Sequence, residues 1–389
     1  ITKISDLPVN LVEEILYKIP LKSMRTVRLT CKECDTLSKN RSFSKMHIGK
    51  LRAVKEGESL MIAMIDYNLY LMKVTLVDNE NPFIECKVFH CDGLLLCVLD
   101  DDDTKAIVWN PYWCQTRRDM FSYALGYEDK GSCPSYKFLR FIDQCVDYKT
   151  RDEFLWYEIY DFDSSLWKSL DITPHWRILC HQPGVSLKGN TYWPASQRNT
   201  NDVIDDHIIC FDFTSESFGP LLRLPFDAGD EDYVTLSYVR EEKLAVLLTH
   251  NEAGPMEFEI WITTKIEAEK VLWSKFLRVL EPDHNSLITG DSFFIDEDKK
   301  VAMGFEEDYS KTFNIAGEAG YYKKLKFVER LGGNIHCRAK ACSYVPSLVQ
   351  IKQPAAVGKR KHQNDLEKQR CDQNMSSLVS LNKRGTVWW

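Results

Sequence analysis

Residues 159–170 read IYDFDSSLWKSL: the end of an apolar strand, a turn, and an aromatic that opens the next strand. Phe162 and Trp167 occupy the two marked places. The same order returns in CFDFTSESFGPL (210–221) with Phe213 and Phe218. It returns again in IWITTKIEAEKVLWSKF (260–276) with Ile262 and Trp273, and in TFNIAGEAGYYKKL (312–325) with Ile315 and Tyr321. A looser, earlier copy is IVWNPYWCQTRRD (107–119), with Trp109. The steps Phe162 to Phe213 to Ile262 to Ile315 are 51, 49 and 53 residues. A period near fifty with four short strands per unit marks the blades of a β-propeller. The alternative is a large β-sandwich whose turns are regularly spaced.

Working outward, the strand pattern begins near residue 58. SLMIAMIDYNLYLMKVTL reads as two strands around an Asp-Tyr-Asn turn, and GLLLCVLDDDDTKAIVWNP as a hairpin with acids at its tip. Strand pairs continue to about residue 350. Before them, residues 1–50 read as helices; after them, residues 352–389 are polar, basic and without period, as a disordered tail is. The expected fold is thus mainly β, with a small helical segment at 1–50, a propeller-like body at 51–351 and a tail at 352–389. KRKH in that tail has the composition of a nuclear import signal, although a solvated basic run reads the same way.

Charge follows the same division. The chain carries −7 in all, yet residues 1–50 carry +5 and residues 352–389 another +5, which leaves −17 on the body. An acidic body is a poor partner for nucleic acid, whose phosphates are met by Lys and Arg. No apolar run approaches the roughly 18 residues of a membrane helix. The opening ITKISDLPVN lacks the basic start and apolar core of a signal peptide, and Ile1 in place of Met suggests a trimmed chain. The 13 cysteines are odd in number and scattered, which reads as buried thiols in a reducing compartment, cytoplasmic or nuclear.

In SDLPVNLVEEILYKIPLKSM (5–24), Pro8 suits the first turn of a helix, Ser5 and Asp6 stand where a cap is useful, and Pro20 ends it. Leu11, Val12, Ile15, Leu16 and Ile19 form one apolar stripe at three- and four-residue spacing, with Glu13, Glu14 and Lys18 opposite. A second helical segment carries Met24, Val27 and Cys31, with Leu37 beyond. So small a helical piece cannot hide that stripe within itself. The stripe packs on the β body or docks another protein.

Catalytic motifs are absent from the sequence. It contains no phosphate-binding GxxxxGK[ST], no GxGxxG after a strand, no GxSxG and no HExxH. Cys31-Lys-Glu-Cys34 lacks a second pair of zinc ligands, with His47 the nearest candidate, and lies in a helical context; buried helix thiols are the simpler reading. His336, Cys337 and Cys342 read as strand residues, and the run at 100–103 as turn chemistry. No metal and no cofactor is expected.

The first forty-odd residues resemble the F-box, in its plant form. The matching features are Leu7-Pro8, Leu11, Ile15-Leu16, Ile19-Pro20-Leu21, Val27-Arg28, Cys31-Lys32, Leu37 and Phe43. The body resembles the F-box-associated interaction domain, through FHCDGLLLCVLDDDDTKAIVWNPYWCQTR (89–117) and the terminal CSYVPSLVQI. Together the two resemblances span about residues 4–351. They imply a non-catalytic substrate receptor of a Skp–cullin–F-box ubiquitin ligase. The F-box would dock the Skp adaptor, and through it the cullin and RING subunits, while the β domain would hold a target protein. The resemblance places adaptor contacts among Leu7, Pro8, Leu11, Ile15, Leu16, Ile19, Pro20, Leu21, Val27 and Arg28; of the eight from Leu7 to Leu21, about half would be interface and the rest F-box core. One departure stands out: the family usually has Trp where this chain has Cys34, so the alternative reading is an interaction protein that has lost ligase assembly, in which Cys34→Trp would restore adaptor binding; a remoter alternative is an enzyme on a propeller scaffold. For the target, Trp113, Trp176 and Trp193 are candidate anchors in loops, with packing between blades as the alternative reading.

Overall fold

The structure is a computed structural model. It describes residues 7–19, 27, 32–39, 58–65, 68–75, 84–86, 89–91, 94–98, 106–109, 122–130, 134–147, 152–178, 184–198, 206–229, 232–240, 242–250, 257–280, 293–305, 312–326 and 340–343. The chain divides into two compact units. One comprises residues 1–116, 128–135 and 341–351; the other comprises 117–127, 136–340 and 352–389.

Among the described residues the first unit opens with the helices α1 (Val9–Lys18) and α2 (Lys32–Lys39). Strands β1 (Glu58–Ile65) and β2 (Asn68–Thr75) then pair antiparallel from Ile65↔Asn68 to Glu58↔Thr75. β3 (Ile84–Cys86) joins β2. A three-stranded sheet follows from β4 (Phe89–Cys91), β5 (Leu94–Val98) and β6 (Ala106–Trp109).

The second unit holds four sheets in chain order. β7 (Ser122–Glu128), β8 (Ser135–Asp147), β9 (Asp152–Asp161) and β10 (Leu166–Ser169) form the first. The next has six strands: β11 (Trp176–Arg177), β12 (Val185–Leu187), β13 (Asn190–Gln197), β14 (His207–Asp212), β15 (Ser217–Phe218) and β16 (Leu222–Arg223). β17 (Tyr233–Val239), β18 (Lys243–Thr249), β19 (Glu257–Ile266) and β20 (Val271–Leu280) form the third. β21 (Phe293–Asp296), β22 (Val301–Phe305), β23 (Thr312–Gly317) and β24 (Tyr322–Lys326) form the fourth.

The fifty-residue period falls on one recurring piece, the last hairpin of each of these sheets. Trp167 pairs with Tyr160 on β10–β9, Phe218 with Phe211 on β15–β14, Trp273 with Thr263 on β20–β19, and Ile315 with Lys323 on β23–β24. The aspartates make two of these turns alike. Asp161 Oδ1 accepts the N–H groups of Asp163 and Ser164, Asp212 Oδ1 accepts that of Thr214, and the fourth residue on is left-handed in both (Ser165 φ 57°, Glu216 φ 53°).

Each core cluster of the second unit is shared by two consecutive sheets. On β18, Ala245 and Leu247 face one cluster, with Phe258, Phe293 and Ala302; Leu244, Val246 and Leu248 face another, with Ile208 and Val234. The alternation of side chains explains why KLAVLLT is apolar throughout: β18 has sheets on both sides. A two-layer sandwich offers each sheet one buried face only, so the stacking rules it out and the β body is propeller-like. Adjacent sheets also bond directly, Tyr127 N–H to the Gly189 carbonyl (3.0 Å) and Ser186 Oγ to the Leu125 carbonyl (2.8 Å). Gly126 is required at this approach, because a Cβ there would lie 2.2 Å from the Phe213 ring.

One pairing had no signal in the sequence. β25 (Lys340–Ser343) pairs with β1, giving the order β25-β1-β2-β3. The end of the β body thereby completes the sheet in which the body begins.

Candidate docking surface

The helical pair is built around one small core. Val12 (4% exposed), Leu16 (1%) and Cys34 (0%) are buried together, with Leu7, Ile19, Val27 and Leu37 packed on them. The stripe read from the sequence therefore splits along its length. Val12 and Leu16 point inward, while Leu11 (42%) and Ile15 (40%), four residues apart on one face, stay in solvent beside exposed Pro8. Leu16 thus falls on the core side of the stripe: a side chain 1% exposed has little area left to offer a partner. Pro20, Leu21 and Arg28, like Cys31, His47, Ser5 and Asp6, lie outside the described residues, as do the run at 100–103 and the tail at 352–389.

The start of α1 also differs in detail. Pro8 is the cap rather than the first helical residue (φ −58°, ψ 144°). Its carbonyl accepts the N–H groups of Leu11 (2.9 Å) and Val12 (3.2 Å). The helix stops at Lys18 and Ile19 is extended (ψ 133°), as the residue before a proline prefers to be. Glu14 and Lys18 pair at 2.9 Å on the outer face, where solvent leaves the pair little weight.

In the β body, Trp176 (3%) and Trp193 (0%) are not surface anchors. Both belong to an aromatic cluster in which Phe218 lies 4.3 Å from Trp176 and 6.1 Å from Trp193 between ring centroids. A ring of that area is worth more in a core than in water, and the packing reading holds for both. Trp113 lies outside the described residues. Among the described residues the large apolar side chains that do face solvent on the body are Tyr233 (59%), Tyr321 (46%) and Leu272 (42%). Tyr233 and Leu272 had no sequence signal, since each sits in a strand pattern that reads as buried.

Two buried ion pairs involve β8, one beside the aromatic cluster and one over Trp167. Arg198 donates to Asp143 (2.7 Å) and to the Trp176 carbonyl (3.0 Å), while the Ile178 N–H donates to the same carboxylate (3.1 Å). Burial pushes the Asp143 carboxyl above its ordinary range, and Arg198 pulls it part of the way back. Arg140 pairs with Glu158 and lies over the Trp167 ring, 4.5 Å from its centroid. Among the described residues no three His, Cys, Asp or Glu side chains are grouped to hold a metal ion.

Comparison with known proteins gives these surfaces a context. Residues 60–351 match the F-box associated beta propeller domain. The Arabidopsis thaliana F-box protein At2g38590 is 51% identical, with 99% of each chain covered. The F-box/kelch-repeat protein At4g33290 of the same plant is 52% identical over 95% of each chain. Among solved structures, a post-proline cleaving enzyme from Rickettsia typhi aligns at 11% identity with a TM-score of 0.31, over 70% of this chain and 43% of that one, too low to bear on fold or chemistry. With the domain matched from residue 60 and relatives identical at half of all positions from end to end, this chain belongs to the plant F-box proteins that carry an F-box-associated propeller domain.

Proposed function

We propose that the protein is the target-recognition subunit of a Skp–cullin–F-box ubiquitin ligase, with α1 docking a Skp-type adaptor and the β body recruiting the target. The observation that carries this reading is the split stripe of α1. Leu11 and Ile15 remain about two-fifths exposed on a helix whose inner face is already filled by Val12 and Leu16. Burying such a side chain is worth about 1.5–3 kcal/mol, so the pair supplies a docking anchor that the chain does not use on itself. The +5 charge of residues 1–50 would speed encounter with an acidic adaptor. The ligase chemistry then belongs to other subunits. This chain acts by proximity, raising the effective concentration of target lysines near the conjugating enzyme.

Cys34 supports intact assembly rather than its loss. It sits at 0% exposure inside the helical pair, so the exchange for the family's usual Trp falls on the packing and leaves Pro8, Leu11 and Ile15 outside. Co-purification of the full chain with a Skp adaptor tests the reading. Capture by the wild type and loss on Leu11→Asp with Ile15→Asp support it; no capture, or capture indifferent to both changes, overturns it.

A further inference from the structure

We draw no further inference here: the strongest candidate, the surface cleft between β20 and the β23–β24 turn that Arg278, Val279, Gly317 and Gly320 line, carries nothing, because Arg278 is already paired with Glu257 on β19 and nothing in the structure shows what covers the cleft.

Discussion

Ile15 and Leu16 are neighbours in the chain and opposites in the structure: Ile15 is 40% exposed, and Leu16 is 1% exposed against Val12 and Cys34. A substitution at each should therefore fail in a different way. Ile15→Asp is expected to abolish adaptor capture while leaving the melting of the chain unchanged. Leu16→Ala is expected to loosen the helical pair by about 2–5 kcal/mol, the usual cost of emptying a buried leucine site. Capture assays set beside hydrogen exchange of the α1 amides separate the two; equal effects of both changes on exchange would contradict the division of the stripe.

Cys34 makes the next case. Its site is closed on every side by Val12, Leu16, Leu7, Ile19, Val27 and Leu37. A Trp there has no room without displacing them, and overpacking of this kind costs about 1–3 kcal/mol. Cys34→Trp is thus expected to speed exchange of the α1 and α2 amides and to gain no adaptor capture, against the expectation of rescue drawn from the family pattern. Improved capture with slower exchange would show that the pocket opens to accept the ring.

These two residues show what a sequence can and cannot disclose. Periodicity placed α1 and its stripe, because three- and four-residue spacing is a local property. It could not divide the stripe, because which half is covered depends on α2, a partner remote in sequence. The fifty-residue period was legible for a similar reason. Turn residues such as Asp161 and Asp212 act on their own next neighbours, so each hairpin leaves a local mark. The return of β25 to β1 leaves none, since edge pairing over so long a separation is set by backbone rather than by residue type. Trp176 and Trp193 were the opposite failure. An aromatic looks the same in a string whether it anchors a partner or fills a core, and only the stacked sheets decide between them.

The Asp143–Arg198 pair is expected to matter more for stability than its surface counterparts. The Asp143 side chain is 1% exposed and that of Arg198 10%, so removing one partner strands a buried charge. Arg198→Ala should cost about 3–5 kcal/mol in denaturant unfolding. Replacing both, as Arg198→Met with Asp143→Leu, should cost less than the two single changes added together. Additive losses would mean that the pair is solvated and contributes little.

Glu216 gives a pH dependence with a definite sign. Burial pushes its carboxyl up, but bonds from Lys137 (2.8 Å) and Lys168 (2.5 Å), with the charges behind them, outweigh burial and hold it below its ordinary value. A carboxyl depressed in the folded state binds its proton more readily when unfolded. Its contribution is therefore complete above the unfolded value of about 4.3 and is lost as pH falls through the lower folded value. Lys137, whose side chain is 5% exposed, adds weight, because protonating Glu216 removes the charge that this buried ammonium pairs with. Urea unfolding of wild type and Glu216→Gln across this range should show the largest gap near neutral pH. The gap should narrow as the solution becomes more acid than the ordinary glutamate range. A gap that widens toward acid would mean that burial, and not the two lysines, governs this carboxyl.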